Sequence, residues 1–521
     1  MSDSDREAPA SRPSLLAPCL IGAAYLLLHL VTITRYGYFR DALYYVACSH
    51  HLAWGYVDHP PLFVLFAWLV RHTVGVSLPA LLIWPALAGA GRIVLVAAFA
   101  REAGARRFGT AFAALLAAVP AVWLVIDHQF AMNAFEPLFW TGCAFVVLRM
   151  IKTENPKLWL AFGVIVGLGL ENKYSIAIWV LALLAGLLLS SQRRLLFSRW
   201  ILAGGAVALL LFLPNLLWNI RRHWPFLELM HNIRASGKDV ALPPAAFLLQ
   251  QARMMNPFTL PFWVGGFAFL SFSRAARPFR AFGWAFAITF AFFLLTHGKD
   301  YYMAPAYPLV LAMSGVALER LHAGPSPAPR PRPGAVMGTL ATAWLLLGLA
   351  VSLPVVLPVF SIEAYRRYQS HLPWGIPRTE KSQLGAALPQ YWADEHGWPE
   401  MVAAVARVFY SIPPEDRAKV AILTSNYGEA AAIDFFGPRY GLPKAICPHQ
   451  SYFLWGPRTY TGEIVIRVGE SLDDIRSSYS SVVVAAPLHN PYGFFYENRP
   501  ILLCRGLKTN LQTAWPDLKK W

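Results

Sequence analysis

The sequence predicts a polytopic α-helical membrane protein whose C-terminal part is a soluble mixed α/β domain, and three observations lead there. The 521 residues are 56% hydrophobic and 14% charged, which leaves a single soluble globule too little polar surface to cover its apolar side chains. About eleven apolar runs approach the roughly 20 residues that cross a bilayer. After about residue 361 the hydropathy falls, and shorter segments with helix and strand periods take over.

The runs lie at about 15–34, 80–100, 109–127, 134–151, 157–171, 174–190, 200–219, 257–273, 281–297, 302–319 and 335–360. With a cytoplasmic N-terminus, alternation places Arg101–Arg107, Lys152–Lys157, Gln192–Arg199, Arg274–Arg280 and Arg320–Pro333 inside. All are basic, as the positive-inside rule requires. The net charge of +16 is therefore read as loop asymmetry, with no nucleic-acid partner expected. The same alternation leaves Tyr36–Pro79, Asp127–Asn133, Glu171–Lys173, Asn219–Asn256 and His297–Tyr301 outside. The first run follows Cys19 in Leu16-Ala17-Pro18-Cys19, so it reads as an uncleaved signal anchor of a multi-pass protein. Nineteen Trp and 21 Tyr suit either interfacial belts or a buried aromatic core.

Treating Leu62–Val70 as a span would invert everything after it and export most of the basic loops. It is short, begins at Pro60-Pro61 and ends at Arg71-His72, so it is laid in the interface as an in-plane amphipathic helix. Pro325–Pro333 reads as a loop between spans. The chain thus divides at 1–360, the membrane unit, and 361–521, a domain that an odd number of spans exports to the periplasm. In that domain Val420–Thr424 and Glu463–Val468 are expected as strands, Met401–Phe409 as a helix and Ser481–Ala486 as a buried strand. Five cysteines make no disulfide scaffold. Cys19, Cys48 and Cys143 read as inert thiols, while Cys447 and Cys504 are the candidates for a bond in an exported domain.

The first outer loop carries Gly37-Tyr38-Phe39-Arg40-Asp41-Ala42-Leu43-Tyr44-Tyr45 and then Gly55-Tyr56-Val57-Asp58-His59-Pro60-Pro61-Leu62. Two Asp, an Arg and several His between apolar spans cannot lie in hydrocarbon, so they line water or a protein cavity. Phosphate-binding loops, paired-Cys zinc motifs and nucleophile elbows are absent, which disfavours a nucleotide cofactor or nucleotide-sugar donor.

At these residues the sequence resembles the superfamily of dolichyl-phosphate-mannose protein mannosyltransferases and the bacterial aminoarabinose transferases that modify lipid A. That superfamily carries an Asp-x-x-Tyr-Tyr-like motif after the first span, matched by Asp41, Tyr44 and Tyr45. Its acidic-Lys-Pro-Pro-Leu motif is matched by Asp58-His59-Pro60-Pro61-Leu62. Gly167-Leu168-Gly169-Leu170-Glu171-Asn172-Lys173 and Gly298-Lys299-Asp300-Tyr301-Tyr302-Met303-Ala304-Pro305-Ala306-Tyr307-Pro308 resemble later outer-face elements. Asn426-Tyr427-Gly428-Glu429-Ala430 and Leu454-Trp455-Gly456-Pro457 resemble uncharacterised bacterial family 39 glycosyltransferases. The resemblance implies a GT-C fold and an inner-membrane enzyme acting on the periplasmic face. It implies a sugar donor on undecaprenyl phosphate or a similar lipid, and a lipid A, glycan or protein acceptor. A monomer is expected.

The resemblance places Asp41 at the catalytic position, where a carboxylate takes or orients the acceptor proton. Cations must hold the leaving phosphate, and His59, Lys173, Lys299, Arg221 and Arg222 are the outer-face candidates. His59 departs from the family's Lys, and a neutral imidazole brings no full charge. Tyr44, Tyr45, Glu136, Tyr301 and Tyr302 are candidates for sugar or acceptor contacts, because hydroxyls and carboxylates exchange hydrogen bonds with sugars. Asp58 and His231 would match the pair that holds a divalent metal in the aminoarabinose transferases, although Met230 replaces the family's acidic neighbour. A flippase for the lipid-linked sugar and a surface-polysaccharide polymerase are the rival functions. A transporter predicts charges deep in spans and internal repeats, and Arg92 is the one charge of that kind.

Overall fold

The computed structural model describes residues 13–238, 240–322, 333–373, 386–493 and 498–521. All the apolar runs expected to span are helical. They form α1 (Leu16–Thr32), α4 (Leu78–Glu102), α5 (Arg107–Ala118) with α6 (Ala121–Ile126), α7 (Glu136–Thr153), α8 (Leu158–Asn172), α9 (Ile176–Leu188) and α10 (Arg199–Arg221). The series ends with α13 (Leu260–Phe272), α14 (Arg280–Leu295), α15 (Tyr307–His322) and α16 (Pro333–Val356). Among the described residues, 6 helices, taken with flanking turns, are long and apolar enough to cross a membrane, and the others are shorter. The loop expected at Pro325–Pro333 lies outside the described residues except for Pro333, which opens α16.

One expected run is corrected. Residues 109–127 do not form a continuous helix, because Pro120 cannot donate to the residue four back and its ring clashes there. The chain breaks at Val119-Pro120 into α5 and α6. The connection between α1 and α4 carries two helices, α2 (Arg40–Cys48) and α3 (Leu62–Thr73), and the loop after α10 carries α11 (Pro225–Ser236) and α12 (Pro244–Met254).

Small residues set the closest helix contacts, as is usual in lipid. A Cβ on Gly163 of α8 would stand 2.1 Å from the Gly204 carbonyl of α10. Polar connections gather at the two ends of the bundle. At one end Arg149 and Lys152 pair with Glu102 at 3.4 and 3.5 Å, and Arg194 pairs with Glu154. At the other end Lys173 meets Glu136 and Asn133. Arg92 is neutralised inside the bundle. Its Nη1 lies 2.8 Å from Asp127 Oδ2, which also accepts from the Tyr25 hydroxyl at 2.7 Å. One buried polar contact thus ties α1, α4 and the end of α6 together.

After α16 come α17 (Ile362–Gln369), α18 (Gln390–Ala393), α19 (Trp398–Tyr410), β1 (Val420–Thr424), α20 (Tyr427–Phe436), β2 (Ile464–Val468), β3 (Tyr479–Ala486) and β4 (Ile501–Leu507). The sheet order is β1-β2-β4-β3, with β1 and β2 parallel and the other pairs antiparallel. Strand β4 was not anticipated. The valine run of β3 was expected to be buried, but β3 is an edge strand, and Val483 and Val484 are 50% and 55% exposed. Cys447 and Cys504 are both buried and unbonded. Cys447 packs with Ile422, Ile464 and Ile466, and Cys504 packs with Ala421, Leu423 and Val465. Alternation along the strands puts those two sets on opposite faces of the sheet, which keeps the thiols apart.

The sequence boundary near residue 361 is not a boundary in packing. Tyr44, Tyr45 and Phe63 of the connection between α1 and α4 share one hydrophobic cluster with Ile422, Ile433, Phe436 and Ile466. Close approach fixes the joint as well, since a Cβ on Gly37 would stand 2.1 Å from the Glu395 carbonyl.

Candidate active site

A cavity of about 930 Å³ opens where the connection between α1 and α4, later connections at the same end of the bundle and the C-terminal region meet. Asp41, Asp58, Lys173, Lys299, Tyr301 and Tyr302, all singled out from the sequence, line it. Four chain segments, none adjacent in sequence, therefore bring Asp41, Asp58, Lys173 and Lys299 to one hollow, with Asp300 as a third carboxylate beside Lys299. Phe226, Leu229, Ile233, Ile178 and Phe292 supply an apolar wall.

Helix α2 begins just before Asp41, which puts the carboxylate in its first turn, where the helix dipole favours negative charge. The Asp41 side chain is 33% exposed, and its Oδ1 accepts a 2.7 Å hydrogen bond from the Tyr427 hydroxyl of α20. Arg40 Nε lies 3.7 Å from the same oxygen, and its guanidinium also pairs with Asp394. Asp58 Oδ1 accepts from the Tyr44 hydroxyl at 3.0 Å. Burial pushes the Asp58 carboxyl above the usual range, and His59 and the Tyr44 hydrogen bond pull it partly back.

Lys173 follows α8, and its Nζ donates to Asn133 Oδ1 at 2.8 Å and to Glu136 Oε2 at 2.7 Å. The Tyr302 ring lies 5.0 Å from the ammonium, within cation–π range. Glu136 is buried, also accepts from Ser175 Oγ and does not line the cavity. It holds Lys173 in place instead of meeting a sugar directly.

Several expected contacts are corrected by helix geometry. Asp41 faces the cavity, whereas Tyr44 and Tyr45, three and four residues on, turn into the shared core and stay buried. His59 is 1% exposed and lies behind the wall, caged by Tyr44, Tyr45 and Tyr56. Its Nδ1–H donates to the Pro60 carbonyl at 3.0 Å, and Nε2 lies 3.8 Å from Asp58 Oδ1, so it meets the carboxylate and not a ligand in the cavity. Arg221 and Arg222 are exposed at the end of α10, outside the cavity lining. Basic side chains there complement the C-terminal dipole of the helix.

Along α11, Phe226, Leu229, Met230, Ile233 and Arg234 line the cavity at helical spacing. His231 lies off that face and is exposed. Asp58 lines the cavity and His231 does not. Among the described residues no group of three or more His, Cys, Asp or Glu side chains could hold a metal. No chemical step is assigned to a metal.

Sequence reading missed Arg234, Arg253, Tyr174, Tyr427 and Gln450, all of which line the cavity. The apolar period of α11 was a usable signal for Arg234. Tyr427 lies in a segment that carries the family resemblance, but nothing in that segment ties it to Asp41, 386 residues away.

Residues 58–218 match the family described as dolichyl-phosphate-mannose-protein mannosyltransferase. That segment contains Asp58, Glu136 and Lys173. Among solved structures, the fold is similar to ArnT from Cupriavidus metallidurans bound to undecaprenyl phosphate. The TM-score is 0.59 at 13% identity, covering 93% of this chain and 97% of that chain. The apo state of ArnT gives the same TM-score and coverage at 16% identity. No curated protein matches the sequence. The ArnT-like GT-C fold thus embraces both the helical bundle and the C-terminal region.

Proposed function

We propose that the protein is a membrane glycosyltransferase that moves a sugar from a polyprenyl-phosphate carrier to an envelope acceptor on the periplasmic face, with inversion. The carrying observation is the single cavity in which Asp41 and Asp58 face Lys173 and Lys299 beside an apolar wall. The match to a mannosyltransferase family and the fold shared with a protein crystallised with undecaprenyl phosphate support the same reading.

Asp41 takes the proton of the acceptor hydroxyl as its oxygen bonds to the anomeric carbon. The bond from that carbon to the phosphate oxygen breaks, and the lipid phosphate departs with the electron pair. Lys173 and Lys299 stabilise the charge that develops there, in a site partly shielded from water. Tyr301 and Tyr302 border the same hollow and offer hydroxyls to the sugar, while the apolar wall takes the first isoprene units.

The test follows a labelled undecaprenyl-phosphate sugar with the purified protein and a crude envelope acceptor. Asp41→Asn keeps an acceptor for Tyr427 but removes the base, so release of undecaprenyl phosphate is expected to fall by about 100-fold or more. The variant should melt like the parent. Full activity in it overturns the assignment. A ladder of product lengths would instead indicate a polymerase, and carrier crossing proteoliposomes without sugar transfer would indicate a flippase.

A further inference from the structure

A second cavity of about 490 Å³ lies on the opposite side of α2 from the first. Leu43, Val46, Ala47 and His50 give it one helical stripe, at spacings of three, four and seven residues. Arg71 and Val76 enter from α3 and the turn after it, and Phe435, Arg439 and Lys444 enter from the C-terminal region. We propose that this cavity binds the phosphate of a membrane-lipid headgroup, with Arg71, Arg439 and Lys444 as its cationic contacts.

Charge is the first support. Among the described residues none of the three cations forms an ion pair. Arg71 donates to the Ser49 carbonyl at 3.2 Å and to the His50 ring at 2.9 Å, and its buried Nε has no partner. The Arg439 guanidinium rests over the Phe436 ring at 5.2 Å. Lys444 Nζ donates to the backbone carbonyl of Asp434 at 2.9 Å. The one carboxylate in the lining, Asp434, accepts from Ala445 N–H at 2.9 Å and the Tyr452 hydroxyl at 3.1 Å, and while burial pushes its carboxyl up, the Lys444 charge helps pull it back. Three cations against one carboxylate leave the hollow with a net positive field that favours an anion. His50 registers the same field. It is pushed down to about 4 by burial first and then by Arg71, Lys444, His51 and His72, so at neutral pH its ring accepts from Arg71 instead of adding charge.

Size and surroundings select a lipid over a free anion. The volume suits a small organic group, and much of the lining, with Leu43, Val46, Ala47, Val76, Ala431 and Phe435, is apolar. On the side of α3 away from Arg71, Leu65 and Leu69 are exposed at 45% and 47%, as in a helix lying in the membrane surface. A cationic hollow with an apolar lining, carried in part by such a helix, fits an amphiphile with a phosphate head.

Binding of water-soluble dihexanoyl phosphatidylglycerol, dihexanoyl phosphatidylcholine and inorganic phosphate to the full-length protein in neutral detergent tests this. The glycerol lipid is expected to bind at least about 10-fold tighter than the other two. Arg439→Ala with Lys444→Gln should weaken it about 10- to 100-fold and remove its advantage over the choline lipid. Arg439→Glu, at an exposed side chain, is measured in parallel so that a folding defect of the double variant does not decide the outcome. Affinity unchanged in these variants overturns the site. Equally tight binding of inorganic phosphate overturns the lipid as its ligand. Loss of binding in Lys173→Gln with Lys299→Gln instead assigns the lipid to the first cavity and also overturns the proposal. None of these readouts depends on sugar transfer.

Discussion

The Asp41 carboxylate is held by a phenol from the far end of the chain. Tyr427 spends its hydroxyl on Oδ1, which fixes the carboxylate plane and leaves the second oxygen to face the cavity. Hydrogen bonds to charged groups contribute about 1.5–3 kcal/mol, so Tyr427→Phe should lower kcat about 10- to 100-fold while the KM for donor lipid stays near the parent value. A KM effect with kcat intact would assign Tyr427 to binding instead. Asp41 and Asp58 were legible because charged side chains between apolar spans must line water or a cavity and because the family resemblance falls on them, while Lys173 and Lys299 stood out as cations at span ends within segments that share the resemblance. Tyr427 was not, since no pattern within α20 distinguishes a phenol that packs from one that reaches another segment. His59 shows the converse. Its neighbours in sequence mark a site, but the turn that closes with Tyr56 N–H donating to the His59 carbonyl at 3.1 Å tucks the ring under the cavity wall.

Helices were legible from apolar period and length, whereas their faces and the sheet were only partly so. Strand β4 escaped notice because Ile501–Leu507 is a short apolar run interrupted by Cys504 and Arg505, which periodicity alone does not separate from a buried helix segment. Helix α20 carries a testable feature of its own. Its capping box pairs Asn426 with Glu429, whose Oε2 accepts from the Ser425 and Asn426 N–H groups at 3.1 Å. Burial pushes the Glu429 carboxyl up to about 7; the two N–H groups pull it back and Glu470 adds to the rise. The folded state therefore holds this proton more tightly than the unfolded chain. The stability this gives is complete below the unfolded value near 4.5 and is lost as pH rises through about 7. Glu429→Gln keeps an acceptor without the charge. Thermal melts should show it more stable than the parent by about 1–3 kcal/mol above pH 7, and equal to it below about pH 4.5. A constant difference across that range would remove the carboxyl as its source.

At the scale of the whole molecule, alternation of spans and the shared core make one prediction together. The connections that carry Glu102, Lys152, Glu154 and Arg194 are tied to one another at one end of the bundle. The cavity lined by Asp41 and the C-terminal region lie together at the other, because α2 and α20 pack as one cluster. The two ends must therefore face opposite sides of any membrane the helices cross, and the positive-inside rule predicts that the basic end stays in the cytoplasm. Single cysteines separate the cases. With Asp473→Cys, on an exposed residue of the C-terminal region, an impermeant maleimide should label intact spheroplasts. With Arg193→Cys, exposed in the connection between α9 and α10, labelling should wait for permeabilisation. Leu62–Thr73 decides the sign: if α3 crossed the membrane instead of lying in its surface, every later connection would invert, and Arg193→Cys would be labelled in intact cells. That outcome would also place α2 and its partner α20 on opposite sides of the bilayer, which their common core forbids.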